Sequence, residues 1–390
     1  MKRILSILII AAFATTALAQ SGINDALVQI EENNPTIKSL RAHFDYAKAD
    51  ARTDLAPPNP TIEGGRFPSV EGTGIKYAWG VSQNFEFPTV YAKRSKLAKV
   101  NDKFADAGYN AARQEVLLNA KHTILESIHT KCMLAEFRRR EVFARNMLAI
   151  MQKKLDAGQS TIMDLNYAKL RVTEITQSMK DFEAQTDIMA KRISVLNGNL
   201  PITISDSVLI LSPLPPKDSL MAQYIVNDPR RIALDYMVDM AQQNKQLVTH
   251  QGLPELSIGY ESEKNDAEHF MGFRAGLSIP LWGNVGKSRA AKIKLNATQS
   301  EKQSQVELIQ LEYDELYLKA NSAKARLDEL KQALADYNNL TLLRRSLESG
   351  QVSIINFFNE ITFLYDITDR IMALELEYAK YYAELYRYEL

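Results

Sequence analysis

The sequence predicts a mainly α-helical fold with a small β part: a duplicated run of helix, strand, strand and long helical hairpin, giving four strands per chain. Three observations carry this. The 16 Gly and 13 Pro of the 390 residues gather in a few places and leave very long stretches free of helix breakers. An eleven-residue segment recurs near the end of the chain. Each half also holds two short segments of period-two alternation between stretches of helical period. A chain this long exceeds one ordinary core, and the breaker-free stretches favour an elongated architecture over two globules.

Taken in order, Met1-Lys2-Arg3, the apolar run Ile4 to Ala12 and Ala17-Leu18-Ala19 before Gln20 have the charge, core and small-residue layout of a secretory signal. Cleavage is expected after Ala19, making 1–19 a signal peptide. No later stretch offers the roughly 18 consecutive apolar residues of a membrane helix, so a membrane crossing would need strands. Cys132 is the one cysteine, which provides neither a disulfide nor a lipid anchor. Lys+Arg and Asp+Glu both number 47, and losing Lys2 and Arg3 leaves 45 against 47. Nucleic acid is not an expected partner of so balanced a chain.

The duplication sets the domain plan. Leu155-Asp156-Ala157-Gly158-Gln159-Ser160-Thr161-Ile162-Met163-Asp164-Leu165 returns as Leu347-Glu348-Ser349-Gly350-Gln351-Val352-Ser353-Ile354-Ile355-Asn356-Phe357. Asn34-Pro35 matches Asp228-Pro229, Pro60 matches Pro254, and Gly80-Val81-Ser82 matches Gly276-Leu277-Ser278. The expected plan is a first repeat at 20–197, a connector at 198–219 containing Pro201, Pro213, Pro215 and Pro216, and a second repeat at 220–390. Long helical hairpins are expected at 90–197 and 285–388. Between Lys287 and Ser349 there is no Gly or Pro, and Val306, Ile309, Tyr313, Leu316, Ala320, Ala323, Leu327, Leu330, Leu334 and Tyr337 form a heptad seam. About 60 residues of helix would reach roughly 90 Å. Gly108 is the weak point of the corresponding helix in the first half, whereas Gly158 and Gly350 sit where a helix C-terminus wants φ > 0.

Strands are expected at about 59–67, 76–87, 254–263 and 269–281. Tyr77, Trp79 and Val81 alternate with Ala78, Gly80 and Ser82; Leu256, Ile258 and Tyr260 alternate with Ser257, Gly259 and Glu261; Phe273, Ala275, Leu277 and Ile279 alternate with Arg274, Gly276 and Ser278. Alternation alone fits a hairpin packed on helices as well as a membrane strand. Phe67, Tyr77, Trp79, Phe85, Phe87, Tyr260, Phe270 and Trp282 are candidate membrane-interface aromatics. Each segment is also near the 9–11 residues of a tilted membrane strand. Four strands cannot close a barrel and open edges are not tolerated in lipid. Three copies would supply twelve strands, so a homotrimer in outer-membrane lipid is the expected assembly.

The two tip motifs, with Gly80-Val81-Ser82-Gln83 and Gly276-Leu277-Ser278-Ile279-Pro280-Leu281 ending the paired strands, resemble the TolC-like outer-membrane efflux family across nearly the whole mature chain. That resemblance implies a trimeric 12-stranded outer-membrane barrel atop a periplasmic α-helical barrel. It further implies a passive conduit meeting a periplasmic adaptor (membrane fusion protein) and an inner-membrane efflux pump, of the resistance-nodulation-division type. Asn59-Pro60 and Lys93-Arg94 are similar to the subgroup serving heavy-metal cation exporters, which leaves metal cation and organic compound both open as cargo. The resemblance makes Gly158, Gln159, Ser160, Gly350, Gln351 and Val352 the adaptor-docking tip, although a plain helix cap requires the same glycines. It makes Asp164, Asn356 and Asn359 gate positions; asparagines stand at 356 and 359 where family members commonly carry acids.

No catalytic residue, cofactor or metal site is expected. His129 and Cys132 share a helix face with His122 two turns earlier, yet no further Cys or carboxylate cluster completes a tetrahedral set. Arg138-Arg139-Arg140 reads as a solvated stretch, lining a lumen or contacting a neighbour. The competing reading of the whole chain is a periplasmic coiled-coil adaptor or scaffold, against which stand the duplication and the two strand pairs; a helical-hairpin enzyme or toxin is more remote.

Overall fold

A computed structural model describes residues 22–390 except 71, 73, 207, 338 and 339, so the signal-peptide reading of 1–19 lies outside the described residues. In chain order the elements are α1 (Ile23–Asn33), α2 (Pro35–Asp50), β1 (Thr61–Pro68), β2 (Ile75–Phe85), α3 (Pro88–Asp156) and α4 (Ile162–Leu196). They are followed by α5 (Lys217–Asn227), α6 (Pro229–His250), β3 (Glu255–Lys264), β4 (His269–Ser278), α7 (Lys287–Asp336), α8 (Leu340–Glu348) and α9 (Ile354–Leu385). Contacts divide the described chain into two compact units, each drawing on both sequence halves: 22–38, 114–221 and 313–390 in one, 39–113 and 222–312 in the other.

The first unit is helical. Its core near the chain ends of α3 and α8 joins Met147, Met151, Leu165, Ala168, Leu347, Ile354, Phe357, Phe358 and Ile361. Burying each large apolar side chain of this kind contributes roughly 1.5–3 kcal/mol. The heptad seam of α7 is buried from Tyr313 through Leu316, Ala320 and Ala323 to Leu327. The proline-rich connector lies along α7 and α9, fastened by three tyrosine hydroxyls: Tyr378 donates to the Ser212 carbonyl at 2.6 Å, Tyr317 to Pro215 at 2.9 Å and Tyr313 to Lys217 at 2.8 Å. Tyr313 and Tyr378 are fully buried, and desolvation pushes the Tyr378 phenol up to about 12. Pro213, Pro215 and Pro216 offer no N–H for backbone pairing within the connector, whose covered carbonyls take side-chain donors instead.

The matched dipeptides at 34–35 and 228–229 are helix starts. Asn34 Oδ1 accepts from the backbone of Thr36 and Ile37 at 2.8 and 3.1 Å, and Asp228 caps α6 by accepting from Arg230 N at 2.8 Å. In each, the proline takes the first helical position, where its missing N–H costs nothing.

Two expectations are corrected. One helix was expected across 287–349, but α7 ends at Asp336 and α8 opens at Leu340. No Gly or Pro stands in that stretch, so freedom from these breakers does not by itself carry one helix across it. The strands are also shorter at their proline ends, with β1 starting after Pro60 and β4 stopping before Pro280. By contrast, α3 passes through Gly108 unbroken. A Cβ there would stand 2.9 Å from the Phe44 ring, so the glycine admits a close aromatic neighbour.

The second unit contains one antiparallel sheet of order β1-β2-β3-β4, in which β2 and β3, one from each half, pair from Tyr77↔Lys264 to Phe85↔Leu256. Among the described residues β1 and β4 are edges.

Candidate functional site

Residues directly opposite in a register share a face, and successive residues alternate faces. One face therefore carries Ile62, Trp79, Val81, Phe85, Leu256, Ile258, Tyr260, Met271, Phe273 and Leu277. Most are exposed, Ile62 to 77% and Phe273 to 89%. Trp79, Tyr260 and Phe273 form a ring ladder across three strands with centroids 5.7 and 5.4 Å apart. From Tyr77 to Phe85 this band extends about 27 Å along the strand at about 3.4 Å per residue.

The opposite face is polar and small. It carries Gly65, Gly80, Gly259, Gly272 and Gly276 with Glu63, Lys76, Glu255, Glu261, Glu263 and Arg274. Arg274 pairs with Glu261, and Lys76 with Glu263 at 2.7 Å. Phe67 and Phe270 lie on this face, so they are not part of the apolar band with Tyr77, Trp79, Phe85 and Tyr260. Phe67 instead folds over Gly65, where a Cβ would meet its ring at 2.6 Å. Trp282 stands beyond β4 in a turn, 82% exposed.

The two tip motifs have the same backbone. Gly158 (φ 68°) and Gly350 (φ 75°) occupy the left-handed region. Gly158 N donates to Leu155 O and Gln159 N to Lys154 O at 2.9 and 2.8 Å; Gly350 N donates to Leu347 O and Gln351 N to Ser346 O at 3.2 and 2.9 Å. Both are Schellman ends, which satisfy the last carbonyls of a helix. Nothing lies within 4 Å of a Cβ built on either glycine, and Gly158, Gln159, Gly350 and Gln351 are exposed, with Ser160 and Val352 half-buried. The shared core places the two tips side by side.

The next helix then begins the same way at each tip. Thr161 accepts from Asp164 N at 3.2 Å while Asp164 Oδ2 accepts from Thr161 N and Oγ1 at 2.9 and 2.7 Å, a capping box. Those Thr161 bonds, with a further one from Ser160, hold the Asp164 carboxyl below its ordinary range. Ser353 likewise accepts from Asn356 N at 3.2 Å. The position six after each glycine is thus the third residue of a capped helix, and at 164 its acid closes the capping box. Asn356 and Asn359 are exposed.

Arg140 is not solvated as expected: it is 3% exposed and donates to both carboxylate oxygens of Asp369 at 2.5 and 3.0 Å and to Glu136 at 3.1 Å. Its guanidinium lies 4.3 Å from the Tyr365 ring centroid and 4.8 Å from that of Phe137. Burial opposes the charge, but Asp369 and Glu136 more than offset it and keep the group's pKa above its ordinary value. The pair borders a cavity of about 170 Å³ that Arg171 and Glu174 also line. Cys132 packs against the core of Ala26, Ile124, Ile128 and Ile193, with burial raising its thiol pKa. Among the described residues no three His, Cys, Asp or Glu side chains converge as metal ligands. Lys93 and Arg94 have structural partners, Gln246 at 2.7 Å for the first and Glu86 with the Asp54 carbonyl for the second.

A four-stranded sheet with an exposed apolar face, joined to long helical hairpins with capped tips, is the fold of the TolC-like outer-membrane channels. The Campylobacter jejuni CmeC outer membrane channel superposes with a TM-score of 0.76 at 14% identity, over 95% of this chain and 86% of that one. VceC, an outer membrane protein of Vibrio cholerae, gives 0.70 at 10% identity over 94% of each chain, and CusC gives 0.72 at 14% over 95% of this chain and 92% of that one. No protein-family model matches the sequence, and no curated protein is significantly similar to it.

Proposed function

We propose that the protein is the outer-membrane channel of an efflux system, a passive conduit rather than an enzyme, assembled as a homotrimer and extending into the periplasm. The observation that carries this is the sheet: an apolar face about 27 Å long, left exposed, on four strands whose outer two each lack a neighbour among the described residues. A water-exposed edge invites further pairing, and in lipid an open edge is excluded. Pairing β1 of one copy with β4 of the next satisfies both, with the polar, glycine-rich face turned to the lumen. CmeC is an outer membrane channel, and this chain's likeness to it supports the reading.

On this reading the paired tips at Gly158–Ser160 and Gly350–Val352 receive a periplasmic adaptor that joins the channel to an inner-membrane pump of the resistance-nodulation-division type. Asp164, Asn356 and Asn359 border that end and would form its gate. The cargo, metal cation or organic compound, is not favoured either way by Lys93 and Arg94, whose bonds are internal. Fractionation followed by planar-bilayer recording tests the function. Extraction from outer membranes only with detergent, as a trimer that conducts, is the expected result; a soluble periplasmic protein that forms no pores would instead favour the scaffold reading.

A further inference from the structure

Near one end the apolar face carries a single charged row, beyond which only the Pro68–Ile75 pair of β1 and β2 continues it. Across the four strands the register sets Arg66 opposite Tyr77, Tyr77 opposite Lys264 and Lys264 opposite His269. With neighbouring strands about 4.8 Å apart, the row is roughly 14 Å long. It lies one step beyond the row of Gly64, Trp79, Ser262 and Met271. Arg66 and Lys264 are the charged strand residues of this face, whereas the strand carboxylates Glu63, Glu255, Glu261 and Glu263 all stand on the other. Neither Arg66 nor Lys264 forms an ion pair among the described residues; the pairs of the sheet, Lys76 with Glu263 and Arg274 with Glu261, are on the polar face. His269 Nε2 is 2.9 Å from the hydroxyl of Ser262, itself 4% exposed, so the ring is held against this face rather than against the adjoining link. That link is folded on itself, with the Ala267 and Glu268 amides donating to Asn265 Oδ1.

Resting on the channel reading, we propose that Arg66, Tyr77, Lys264 and His269 bind the phosphate groups of lipid headgroups at one border of the hydrocarbon. Burying the apolar rows brings this row to the headgroup level, where Arg and Lys keep their stems in hydrocarbon and their charges in the polar layer. A guanidinium fork and an ammonium supply charge-assisted donors to phosphate oxygens, and the tyrosine hydroxyl adds a neutral one. The opposite border, at Phe85, Leu256 and Leu277, carries no charge, so one leaflet is selected. The row adjoins the short links 69–74 and 265–268 rather than the ends leading into α3 and α7, which assigns it to the outer leaflet and its phosphorylated glucosamine lipid.

The test is thermal unfolding of the full-length, detergent-extracted protein with bisphosphorylated lipid A, the same lipid dephosphorylated, or inorganic phosphate. Lipid A is expected to raise Tm for the unsubstituted protein. Arg66→Gln/Lys264→Gln should lose at least half of that rise with Tm in detergent alone unchanged, and Lys76→Gln, on the other face, should keep it. If the double variant does not extract, each single variant should lose part of the rise. An equal rise in the double variant and single variants, with dephosphorylated lipid, or with inorganic phosphate overturns the proposal, as does equal loss in Lys76→Gln. Failure of the channel reading looks different, because the unsubstituted protein would then stay soluble without detergent.

Discussion

Lys154 Nζ donates to the carbonyl oxygen of Leu347 at 2.8 Å, tying the last turn of α3 to the last turn of α8. Leu347 O already accepts from Gly350 N, so a cation from one tip reinforces the helix end of the other, where the helix dipole is negative. Lys154→Met keeps the stem and removes the charge. A loss of about 1 kcal/mol is expected, with faster hydrogen exchange at Gly350 and Gln351 and little change at Gly158; equal protection at Gly350 would refute the coupling.

The glycines at the tips separate capping from docking. Alanine at 158 or 350 is strained at positive φ and should cost about 1 kcal/mol each. Asparagine tolerates that backbone better, and the space around both positions is open. Gly158→Asn/Gly350→Asn should therefore retain most of the stability and the trimer yield, yet lose export if a partner helix needs bare backbone there. Full export by this variant would leave the cap as the whole role.

Arg140 is buried beneath a partly exposed Asp369, so removing the acid leaves the guanidinium with Glu136 as its remaining acidic partner. Asp369→Leu should destabilise by about 1.5–3 kcal/mol, read from denaturant unfolding. Arg140→Met/Asp369→Leu should recover much of that loss, since no unpaired charge remains. A double variant as unstable as the single one would mean that stacking on Phe137 and Tyr365, rather than charge compensation, dominates.

The sequence made the long elements and the tips legible because those depend on local signals. A 3–4 spacing of apolar residues marks the seam from Tyr313 to Leu327, and a glycine after a breaker-free stretch marks each Schellman end. What stayed hidden depended on partners far along the chain. Arg140 read as solvated because Asp369 is 229 residues away, and the tyrosines that fasten the connector gave no local sign. Aromatic identity alone groups Phe67 and Phe270 with Trp79, whereas parity along each strand puts them on the other face. The same parity, carried to the strand ends, places Arg66 and Lys264 on the face of Trp79.

Two histidines predict the acid response. Desolvation, with Lys380 contributing, lowers the pKa of His122, and desolvation lowers that of His129. The folded state therefore binds protons less readily than the unfolded chain. Stability from these groups is complete above the unfolded value of about 6.5 and is lost as pH falls from there through the lowered folded values. Tm should drop as the pH falls below about 6.5, and His122→Gln/His129→Gln should flatten that drop. An unchanged slope in the double variant would assign the acid response to other groups.

On the channel reading, the polar face of the sheet lines the lumen. It carries four carboxylates, Glu63, Glu255, Glu261 and Glu263, against two cations, Lys76 and Arg274, a net charge of −2 per chain that the proposed trimer multiplies by three. Lys76 and Arg274 are engaged by Glu263 and Glu261, which leaves Glu63 and Glu255 as the uncompensated charges. A confined passage lined by one sign concentrates the opposite ion, and the glycines at 80, 259, 272 and 276 leave that wall open to water. The channel should prefer K⁺ over Cl⁻ in a salt gradient, more strongly at low ionic strength, where screening is weak. Glu63→Gln/Glu255→Gln should move the reversal potential toward zero without abolishing conductance. A reversal potential that ignores both substitutions would mean that selectivity is set outside the sheet, whereas loss of all conductance would indicate that the barrel had not formed.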